Sequence, residues 1–259
     1  MSQPILVADG LSKMFGGVHA VQAVSFAVPR GQIFSVIGPN GAGKTTLINV
    51  MTGILRSSGG AVRFDDRDIT DTPAHTIAAA GMVRTFQNGR LFARLSVIEN
   101  VMVGAYYRLP QTVWSVILGS STGRRMAELR QRSRELLGSL ALGEYADRLV
   151  GSLPYGRQRM VEIARALISE PKLLLLDEPA AGLNSGEVET LRGILEGLRA
   201  RGITLLLVEH NMGLVMRVAD RIVVISFGEK IAEGAPSEVR ADPKVLEAYL
   251  GHGYAHAAD

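Results

Sequence analysis

Gly38-Pro39-Asn40-Gly41-Ala42-Gly43-Lys44-Thr45-Thr46 is the stretch of sequence that decides the fold. It fits the phosphate-loop pattern, in which two glycines separated by four residues precede a lysine and a hydroxyl residue. Such glycines let main-chain N–H groups turn inward around a polyphosphate. Lys44 supplies a mobile positive charge for the outer phosphates, and Thr45 offers a hydroxyl to the magnesium ion that bridges them. The predicted nucleotide contacts are Asn40, Gly41, Ala42, Gly43, Lys44, Thr45 and Thr46.

The flanking sequence supports this prediction. Residues 32–37 are typical of a buried strand that enters the loop, and residues 46–51 of a helix that leaves it. A helix that begins there points its N-terminus, the end that favours negative charge, at the bound phosphates.

Composition limits the other possibilities. A chain of 259 residues with 47% hydrophobic content can form one substantial core with a smaller appended subdomain. It contains no cysteine, which excludes disulfides, thiol catalysis and cysteine-ligated metals and is compatible with a reducing cytoplasm. We expect no membrane span, because no apolar run approaches the ~20 residues required. The N-terminus shows no signal-peptide pattern.

Strands that alternate with helices predict an α/β fold with a mainly parallel sheet. Strands are expected at 172–176, 203–208 and 221–226, and helices at 185–200 and 211–218. Residues 5–29, on either side of Gly16-Gly17, predict an antiparallel β subdomain, to which 61–69 adds an edge strand. Residues 96–149 have a helical pattern, with Met126, Leu129, Leu136, Leu137 and Leu140 near one face. The tail is expected to hold a short strand and a helix over 243–250.

We therefore expect a nucleotide-binding core over 1–92 and 153–228 that includes the antiparallel β subdomain. Residues 93–152 would form an inserted helical subdomain, and 229–259 a C-terminal extension.

Charge is unevenly distributed. The net charge of the chain is +3, yet six arginines and two glutamates fall between Ala105 and Glu135. Such a run is usually a solvated helix face, although it also suits an anionic membrane surface or a partner. A net charge this small gives no indication of nucleic acid.

Two adjacent carboxylates, Asp177 and Glu178, end the apolar run at 173–176. Neighbouring residues of a strand point to opposite faces, so one carboxylate can serve magnesium while the other addresses water. We assign Asp177 to the metal and Glu178 to the general base. Alone, this pattern is weak evidence. Together with the phosphate loop it indicates an ATPase.

Three further segments complete the predicted site. His210 follows a parallel strand at the sheet edge where ligands bind and can contact the γ-phosphate, although a lone histidine is more often structural. Gln87 lies at a junction where its amide could ligate magnesium. Leu153-Pro154-Tyr155-Gly156-Arg157-Gln158-Arg159 precedes a helical pattern, so Gly156 lies at a helix N-terminus that can bind an anion or simply be capped.

Taken together, these segments resemble the ATP-binding subunits of ABC transporters over nearly the whole chain. The chain is most similar to the longer of the two paired ATPase subunits of branched-chain amino acid importers. The finer match rests on Arg84-Thr85-Phe86-Gln87-Asn88, Arg90-Leu91-Phe92, Glu99-Asn100-Val101, the Tyr-Gly signature, Ala180-Ala181-Gly182-Leu183-Asn184 and Ala248-Tyr249-Leu250-Gly251.

The resemblance implies further roles. Phe15 would stack on adenine, Tyr155 and Gly156 would contact nucleotide, and residues 88–92 would contact membrane permease subunits. Two ATPase chains, identical or paralogous, would pair head to tail, each phosphate loop facing the other's signature. The cofactors would be ATP and Mg²⁺, with Thr45, Gln87 and Asp177 at the metal and Lys44, Gln87, Glu178 and His210 in catalysis.

The chain departs from the usual family pattern at four positions. Pro154 and Tyr155 replace the serine and first glycine of the common Leu-Ser-Gly-Gly-Gln signature, so backbone groups near Gly156 would take over the phosphate contact. Asn184 and Asn211 stand where many members have aspartate.

We therefore expect an ATPase subunit, peripheral to the cytoplasmic face of the inner membrane, that drives amino acid uptake. A periplasmic solute-binding protein would take part indirectly, and no nucleic acid would be involved. Urea, aromatic acids and lipopolysaccharide are alternative cargoes. A soluble, non-transport ABC ATPase and a subunit that binds ATP without hydrolysing it are rival functions.

Overall fold

The structure is a computed structural model that describes residues 3–85, 91–105 and 120–254. Its strands are β1 (Pro4–Phe15), β2 (Val18–Pro29), β3 (Ile33–Ile37), β4 (Gly59–Phe64), β5 (Arg67–Asp68), β6 (Met82–Arg84), β7 (Leu173–Asp177), β8 (Thr204–Val208), β9 (Arg221–Ser226) and β10 (Glu229–Gly234). Its α-helices are α1 (Lys44–Met51), α2 (Ala74–Ala80), α3 (Val97–Val103), α4 (Ser120–Ser139), α5 (Tyr155–Leu167), α6 (Ser185–Ala200), α7 (Met212–Val218), α8 (Pro236–Ala241) and α9 (Pro243–Tyr254). Short 3₁₀ helices lie at Gly143–Tyr145 and Val150–Ser152.

The larger sheet has six strands in the order β10-β9-β3-β8-β7-β6. All neighbours from β9 to β6 are parallel, and only β10 is antiparallel. Every residue of β3, β7 and β8 is buried, as expected of parallel strands covered on both faces. The predicted α/β fold with a mainly parallel sheet is therefore confirmed.

Strand alternation divides the interior between the two faces of this sheet. Leu174 and Leu176 of β7 belong to a core that also contains residues of α3, α4, α5 and α6. Leu173 and Leu175 belong to a second core, which joins α1 to the smaller sheet. Because successive side chains of a strand point to opposite faces of the sheet, the apolar residues of β7 contribute to both cores.

The smaller sheet is antiparallel, in the order β2-β1-β4-β5. The predicted single edge strand over 61–69 is wrong, because the chain turns at Asp65 and Asp66, whose φ angles are +50° and +64°. Positive φ at both turn residues is typical of a two-residue hairpin. As a result β4 is an inner strand and the short β5 forms the edge.

The helical pattern over 96–149 corresponds to α3, α4 and the 3₁₀ helices, while 106–119 lie outside the described residues. Of the predicted apolar face, Leu129, Leu137 and Leu140 are buried, whereas Met126 is exposed. No helix in the described ranges is long and apolar enough to cross a membrane.

Arginines of α4 pair with acidic neighbours on the surface. Arg130 and Arg134 contact Asp147, and Arg132 contacts Glu170. These pairs favour a solvated helix face for the basic run; Arg108 lies outside the described residues.

Two elements of the core were not expected from the sequence, the short helix α2 and the three-residue strand β6. Strand β6 pairs with β7 at the edge of the larger sheet. It carries Arg84 towards the carboxylates at the end of β7.

Candidate nucleotide site

A pocket of about 600 Å³ opens where the carboxyl ends of β3 and β7 meet the smaller sheet. Its wall consists of Val18, His19, Ala20, Asn40, Gly41, Ala42, Gly43, Lys44, Thr45, Thr46, Glu178, Phe227 and Gly228. All seven predicted contacts of the phosphate loop therefore line one cavity, together with the predicted base.

Close backbone packing holds the loop in place. A Cβ atom at Gly38 would lie 2.0 Å from the Ile225 carbonyl oxygen, and one at Gly43 would lie 2.2 Å from that of Ala20. Gly43 also has a φ of +97° at the N-cap of α1, a conformation that glycine adopts without steric cost. The two glycines of the motif thus allow the loop to pack against its neighbours before any nucleotide arrives.

The Lys44 side chain folds back onto its own loop. Its Nζ donates to the carbonyl oxygens of Gly38 at 2.7 Å and Pro39 at 2.8 Å. Burial lowers the pKa of Lys44, an effect that the negative charges of Glu178 and Asp177 oppose. The ammonium group is therefore held at the pocket by carbonyl oxygens that a phosphate oxygen can replace.

Asp177 is buried and paired with Arg84, a cation to which the sequence assigned no role. Its Oδ2 accepts from Arg84 Nη2 at 2.7 Å, and both side chains are almost fully buried. Arg84 Nη1 also donates to Asn49 Oδ1 of α1 at 2.6 Å. Arg84 thus connects β6, the end of β7 and the helix that leaves the phosphate loop.

The backbone conformation that turns Glu178 into the pocket differs from the predicted one. Strand β7 ends at Asp177, and Glu178 takes a left-handed conformation with a φ of +47°. Its N–H donates to the Val208 carbonyl at 2.8 Å. A turn after the strand, rather than strand alternation, therefore separates the two carboxylates. Such strain in a non-glycine residue is characteristic of functional sites.

His210 lies beside Glu178, as the sequence suggested. Its Nδ1 is 3.7 Å from Glu178 Oε1 and its side chain is 57% exposed, although His210 is not part of the pocket wall. The ends of β7 and β8 thus bring the predicted base and the predicted γ-phosphate contact together.

The residues present suit a magnesium ion carried by a nucleotide. The Thr45 hydroxyl and the Asp177 carboxylate are oxygen donors, which Mg²⁺ prefers, and Mg²⁺ sites commonly complete their shell with substrate phosphates and water. In the part of the chain that the structure describes, no group of three or more His, Cys, Asp or Glu side chains could hold a metal by itself. Gln87, the third predicted ligand, lies outside the described residues.

A hairpin that the sequence did not indicate completes the wall. Phe227 and Gly228 form the turn between β9 and β10, with φ angles of +47° and +81°. The Gly228 N–H donates to the Ala42 carbonyl at 2.9 Å, and the Gly228 carbonyl accepts from Gln22 N–H at 2.8 Å. The signal available in the sequence was a two-residue gap containing Gly228, between the strand expected at 221–226 and the short strand expected in the tail.

Phe15, the predicted adenine contact, lies at the end of β1, where it pairs across the hairpin with Val18. Val18 lines the pocket and Phe15 does not. The Phe15 ring is half exposed, and Lys13 Nζ lies 5.1 Å from its centroid. The ring is therefore available at the rim of the pocket rather than inside it.

The signature segment forms the N-terminus of α5, with Pro154 at the N-cap and no side-chain cap. Tyr155 lies between Arg159, whose guanidinium is 5.6 Å from the ring centroid, and Gly182, where a Cβ atom would lie 2.9 Å from the ring. A Cβ atom at Gly156 would lie 2.1 Å from Glu187 Oε1. A carboxylate thus sits against this helix end.

Asn184 and Asn211, which stand where many family members have aspartate, both act as helix N-caps. Asn184 Oδ1 accepts from Glu187 N–H at the start of α6, and Asn211 Oδ1 accepts from Leu214 N–H at the start of α7, each at 3.0 Å. Asparagine caps helices about as well as aspartate, so these two changes keep the local structure.

Two more residues near the site were missed in the sequence. Glu209 is a buried carboxylate between β8 and His210. Burial raises the pKa of Tyr249, on α9, to about 12. Glu209 gave no sequence signal, and Tyr249 appeared only in the family match at 248–251, because only the fold brings the two residues near the site.

Comparisons with known proteins agree with this geometry. Residues 21–181 match the family model described as ABC transporter, and residues 229–255 match one described as branched-chain amino acid ATP-binding cassette transporter. Curated relatives include the high-affinity branched-chain amino acid transport ATP-binding proteins BraF of Pseudomonas aeruginosa and LivG of Salmonella typhimurium. Each is 44% identical, and the match covers 97% of this chain and 99% of the relative.

Solved structures show the same fold. The ADP conformation of an ATP-binding cassette of an ABC transporter matches with a TM-score of 0.85 and 34% identity, over 96% of this chain and all of that one. A nucleotide-free cassette matches with a TM-score of 0.84 and 33% identity, over 95% of this chain and 99% of that one. A phosphate loop, an apolar strand ending in two carboxylates and a match over nearly the full length lead to one conclusion: this chain belongs to the ABC transporter family, as one of its ATP-binding, ATP-hydrolysing subunits.

Proposed function

We propose that this chain drives the uptake of branched-chain or closely related amino acids through membrane permease subunits. The observation that carries the proposal is a preformed phosphate-loop pocket with Glu178 in its wall, in a chain 44% identical to branched-chain amino acid transport ATP-binding proteins. The match at residues 229–255 to a branched-chain amino acid cassette model points in the same direction.

Nucleotide binding rests on the loop and on α1. Main-chain N–H groups around residues 40–46 hold the phosphates, and Lys44 exchanges its carbonyl partners for outer phosphate oxygens. Phe15 lies at the rim, where it can stack on the base. Thr45, Asp177 and Gln87 would hold Mg²⁺, which would neutralise part of the phosphate charge.

Hydrolysis requires a base and a second contact to the γ-phosphate. Glu178 accepts a proton from water as the water oxygen bonds to the γ-phosphorus and the bond to the ADP oxygen breaks. His210, 3.7 Å away, hydrogen-bonds the γ-phosphate and positions the water. Positioning and electrostatic stabilisation supply most of the acceleration.

Two chains, identical or paralogous, pair head to tail so that Tyr155 and the backbone at Gly156 of one face the phosphate loop of the other. Residues 88–92 contact the permease, which places the subunit at the cytoplasmic face of the inner membrane. A periplasmic solute-binding protein delivers the cargo to the permease.

The experiment that tests this function is uptake of labelled leucine by cells lacking the gene and complemented with variants. We expect the native chain to restore uptake and Glu178→Gln to abolish it while MgATP still binds. Glu144→Gln, at an exposed glutamate that is not part of the pocket wall, is the matched control and should restore uptake.

Each other result has a definite meaning. Normal leucine uptake in the deletion strain would overturn the proposed cargo, and competition with urea, aromatic acids or lipopolysaccharide precursors would then identify another. Native-rate ATP hydrolysis by Glu178→Gln in the assembled transporter would overturn the assignment of the base.

A further inference from the structure

Glu209 is a buried carboxylate that the proposed mechanism does not use. It lies directly after β8 and before His210, and only 1% of its surface is exposed. Burying a charge is costly unless hydrogen bonds compensate for the lost water. The position of Glu209 beside a proposed γ-phosphate contact therefore needs an explanation.

Backbone N–H groups from two separate loops surround this carboxylate. Glu209 Oε1 accepts from Ala180 N–H at 2.7 Å. Glu209 Oε2 accepts from His210 N–H and Asn211 N–H, both at 3.0 Å. Ala180 belongs to the loop after Glu178, so one side chain joins the loop of the proposed base to the loop of the proposed phosphate contact.

The charge of Glu209 is balanced by these amides. These three hydrogen bonds are the compensation for burial that the structure shows at Glu209. A second link runs in parallel, because Glu178 N–H donates to the Val208 carbonyl at 2.8 Å. The loop after β7 is therefore fastened to the end of β8 on both sides of Pro179.

The site requires a carboxylate and not merely a polar side chain. Both oxygens accept N–H groups, whereas a glutamine has one acceptor oxygen and would turn its NH₂ group towards at least one N–H donor. A buried donor left without a partner is costly. The arrangement thus distinguishes Glu209→Gln from the native residue although the two side chains have nearly the same shape.

We propose that Glu209 is a positioning residue that fixes the His210 loop to residues 178–180 and so sets the distance between His210 and Glu178. This inference rests on the proposed function of those two residues. A displacement of the loop at residues 180–184 moves the carboxylate and, through it, the backbone of His210 and Asn211. Nucleotide binding at the phosphate loop does not depend on this link.

The first experiment is a double-mutant cycle on the ATPase activity of the assembled transporter. We expect Glu209→Gln to lower kcat about 10- to 100-fold, the effect of losing charge-assisted hydrogen bonds, with the KM for MgATP changed less than about twofold. In a His210→Ala background the same change should cost less than about twofold, because two residues that act together are not additive. Glu196→Gln, at a partly exposed glutamate of α6 that pairs with Arg192 on the surface, is the matched control.

Additive losses, an equal rise in KM, or an unchanged kcat would overturn the proposal. The native chain is measured in the same assay. If it binds and hydrolyses MgATP while Glu209→Gln behaves otherwise than expected, the positioning role of Glu209 fails and the proposed function does not.

A second experiment needs no variant and covers the case in which Glu209→Gln does not fold. Hydrogen exchange of the native chain should give the amides of Ala180, His210 and Asn211 a common free energy of opening, and nucleotide should shift all three together. Separate opening free energies, or a nucleotide response confined to one loop, would overturn the link.

Discussion

Two helix N-termini of this chain face phosphate in the proposed mechanism, and they are built differently. At α1 the loop is packed against β2 and β9, Lys44 sits in the pocket, and Asp177 is neutralised by Arg84. At α5 there is no side-chain cap, Tyr155 is half exposed, and the Glu187 carboxylate lies against Gly156. We call the phosphate loop with α1 the α1 half of the site, and the signature segment with α5 the α5 half. The α1 half is complete within one chain, whereas the α5 half presents a negative group where phosphate must approach.

The contrast teaches that the two halves have different tasks. A preorganised loop binds nucleotide at little reorganisation cost. Glu187 Oε2 accepts from Asn184 N–H, and its carboxylate lies against Gly156. Its negative charge opposes a phosphate at the N-terminus of α5, which suits a contact made between chains late in the cycle. Changes at the α1 half should therefore have large effects that one chain shows alone, and changes at the α5 half small effects on pairing.

The largest expected effect is at Arg84. Replacing it by methionine leaves Asp177 buried without its cation, and breaking a buried pair in this way costs about 3–5 kcal/mol. Urea unfolding at neutral pH measures the loss. Arg130→Met is the control, since its surface pair with Asp147 is worth at most about 1 kcal/mol.

A second substitution sharpens that test. If the pair matters, adding Asp177→Asn to Arg84→Met should recover part of the lost stability. A loss below about 1 kcal/mol for Arg84→Met would mean that the α1 half is not preorganised by this pair.

The second effect is on nucleotide affinity. Lys44→Ala removes a charge-assisted hydrogen bond to phosphate, worth about 1.5–3 kcal/mol, so MgATP should bind about 10- to 100-fold more weakly. Titration of the purified chain measures the affinity, with Lys230→Ala, at an exposed lysine of β10, as the control. Unchanged affinity would refute the role of Lys44.

The third effect is on pairing. Glu187→Gln removes the negative charge beside the N-terminus of α5 and keeps the side-chain shape. Charges near helix ends are worth about 0.3–1 kcal/mol, so ATP-dependent pairing should need about two- to fivefold less MgATP. Light scattering measures the MgATP concentration at which half of the chains have paired, in a Glu178→Gln background that does not hydrolyse ATP. Glu196→Gln, on the same helix as Glu187, should leave that concentration unchanged. A shift to higher MgATP would contradict the view that Glu187 opposes phosphate.

The smallest expected effect is at Asp65, which lies outside both halves of the site and shows how little a surface ion pair contributes to stability. Hydrogen bonds first from Lys172 and then from Arg30 hold the pKa of Asp65 below its usual range. Because the folded-state pKa is depressed, the stability contribution is present above the unfolded pKa and is lost as the pH falls through the folded value. For this partly exposed group we expect Asp65→Asn to cost about 0.2–1 kcal/mol at pH 7 and nothing in strong acid.

Urea unfolding at both pH values checks the prediction for Asp65. Asp66→Asn, in the same turn but more exposed, should change stability less. An Asp65→Asn loss that persists in acid would assign the effect to the turn rather than to the charge.

The sequence predicted the α1 half well and the α5 half only in outline. Residues 38–46 form a local pattern whose roles depend only on neighbouring residues. The positions of the loop, of the strand before it and of the helix after it can therefore be predicted from spacing. Arg84 and Glu209 could not be predicted, because their partners, Asp177 and Ala180, are distant in the chain and meet only when β6, β7 and β8 align. Glu178 lines the pocket, but a left-handed turn, and not the predicted strand alternation, turns it there.

The sequence by itself determined the class of the fold, from periodicity, and the phosphate loop and the paired carboxylates, from residues adjacent in the chain. The family followed from the resemblance of its motifs to those of known members. Only the tertiary structure decided that Arg84 holds Asp177, that Glu209 joins the loops of Ala180 and His210, and that Phe227 and Gly228 complete the pocket. The physical reason is that hydrogen bonds and ion pairs act over about 3 Å, and only the packing of parallel strands brings such distant residues that close.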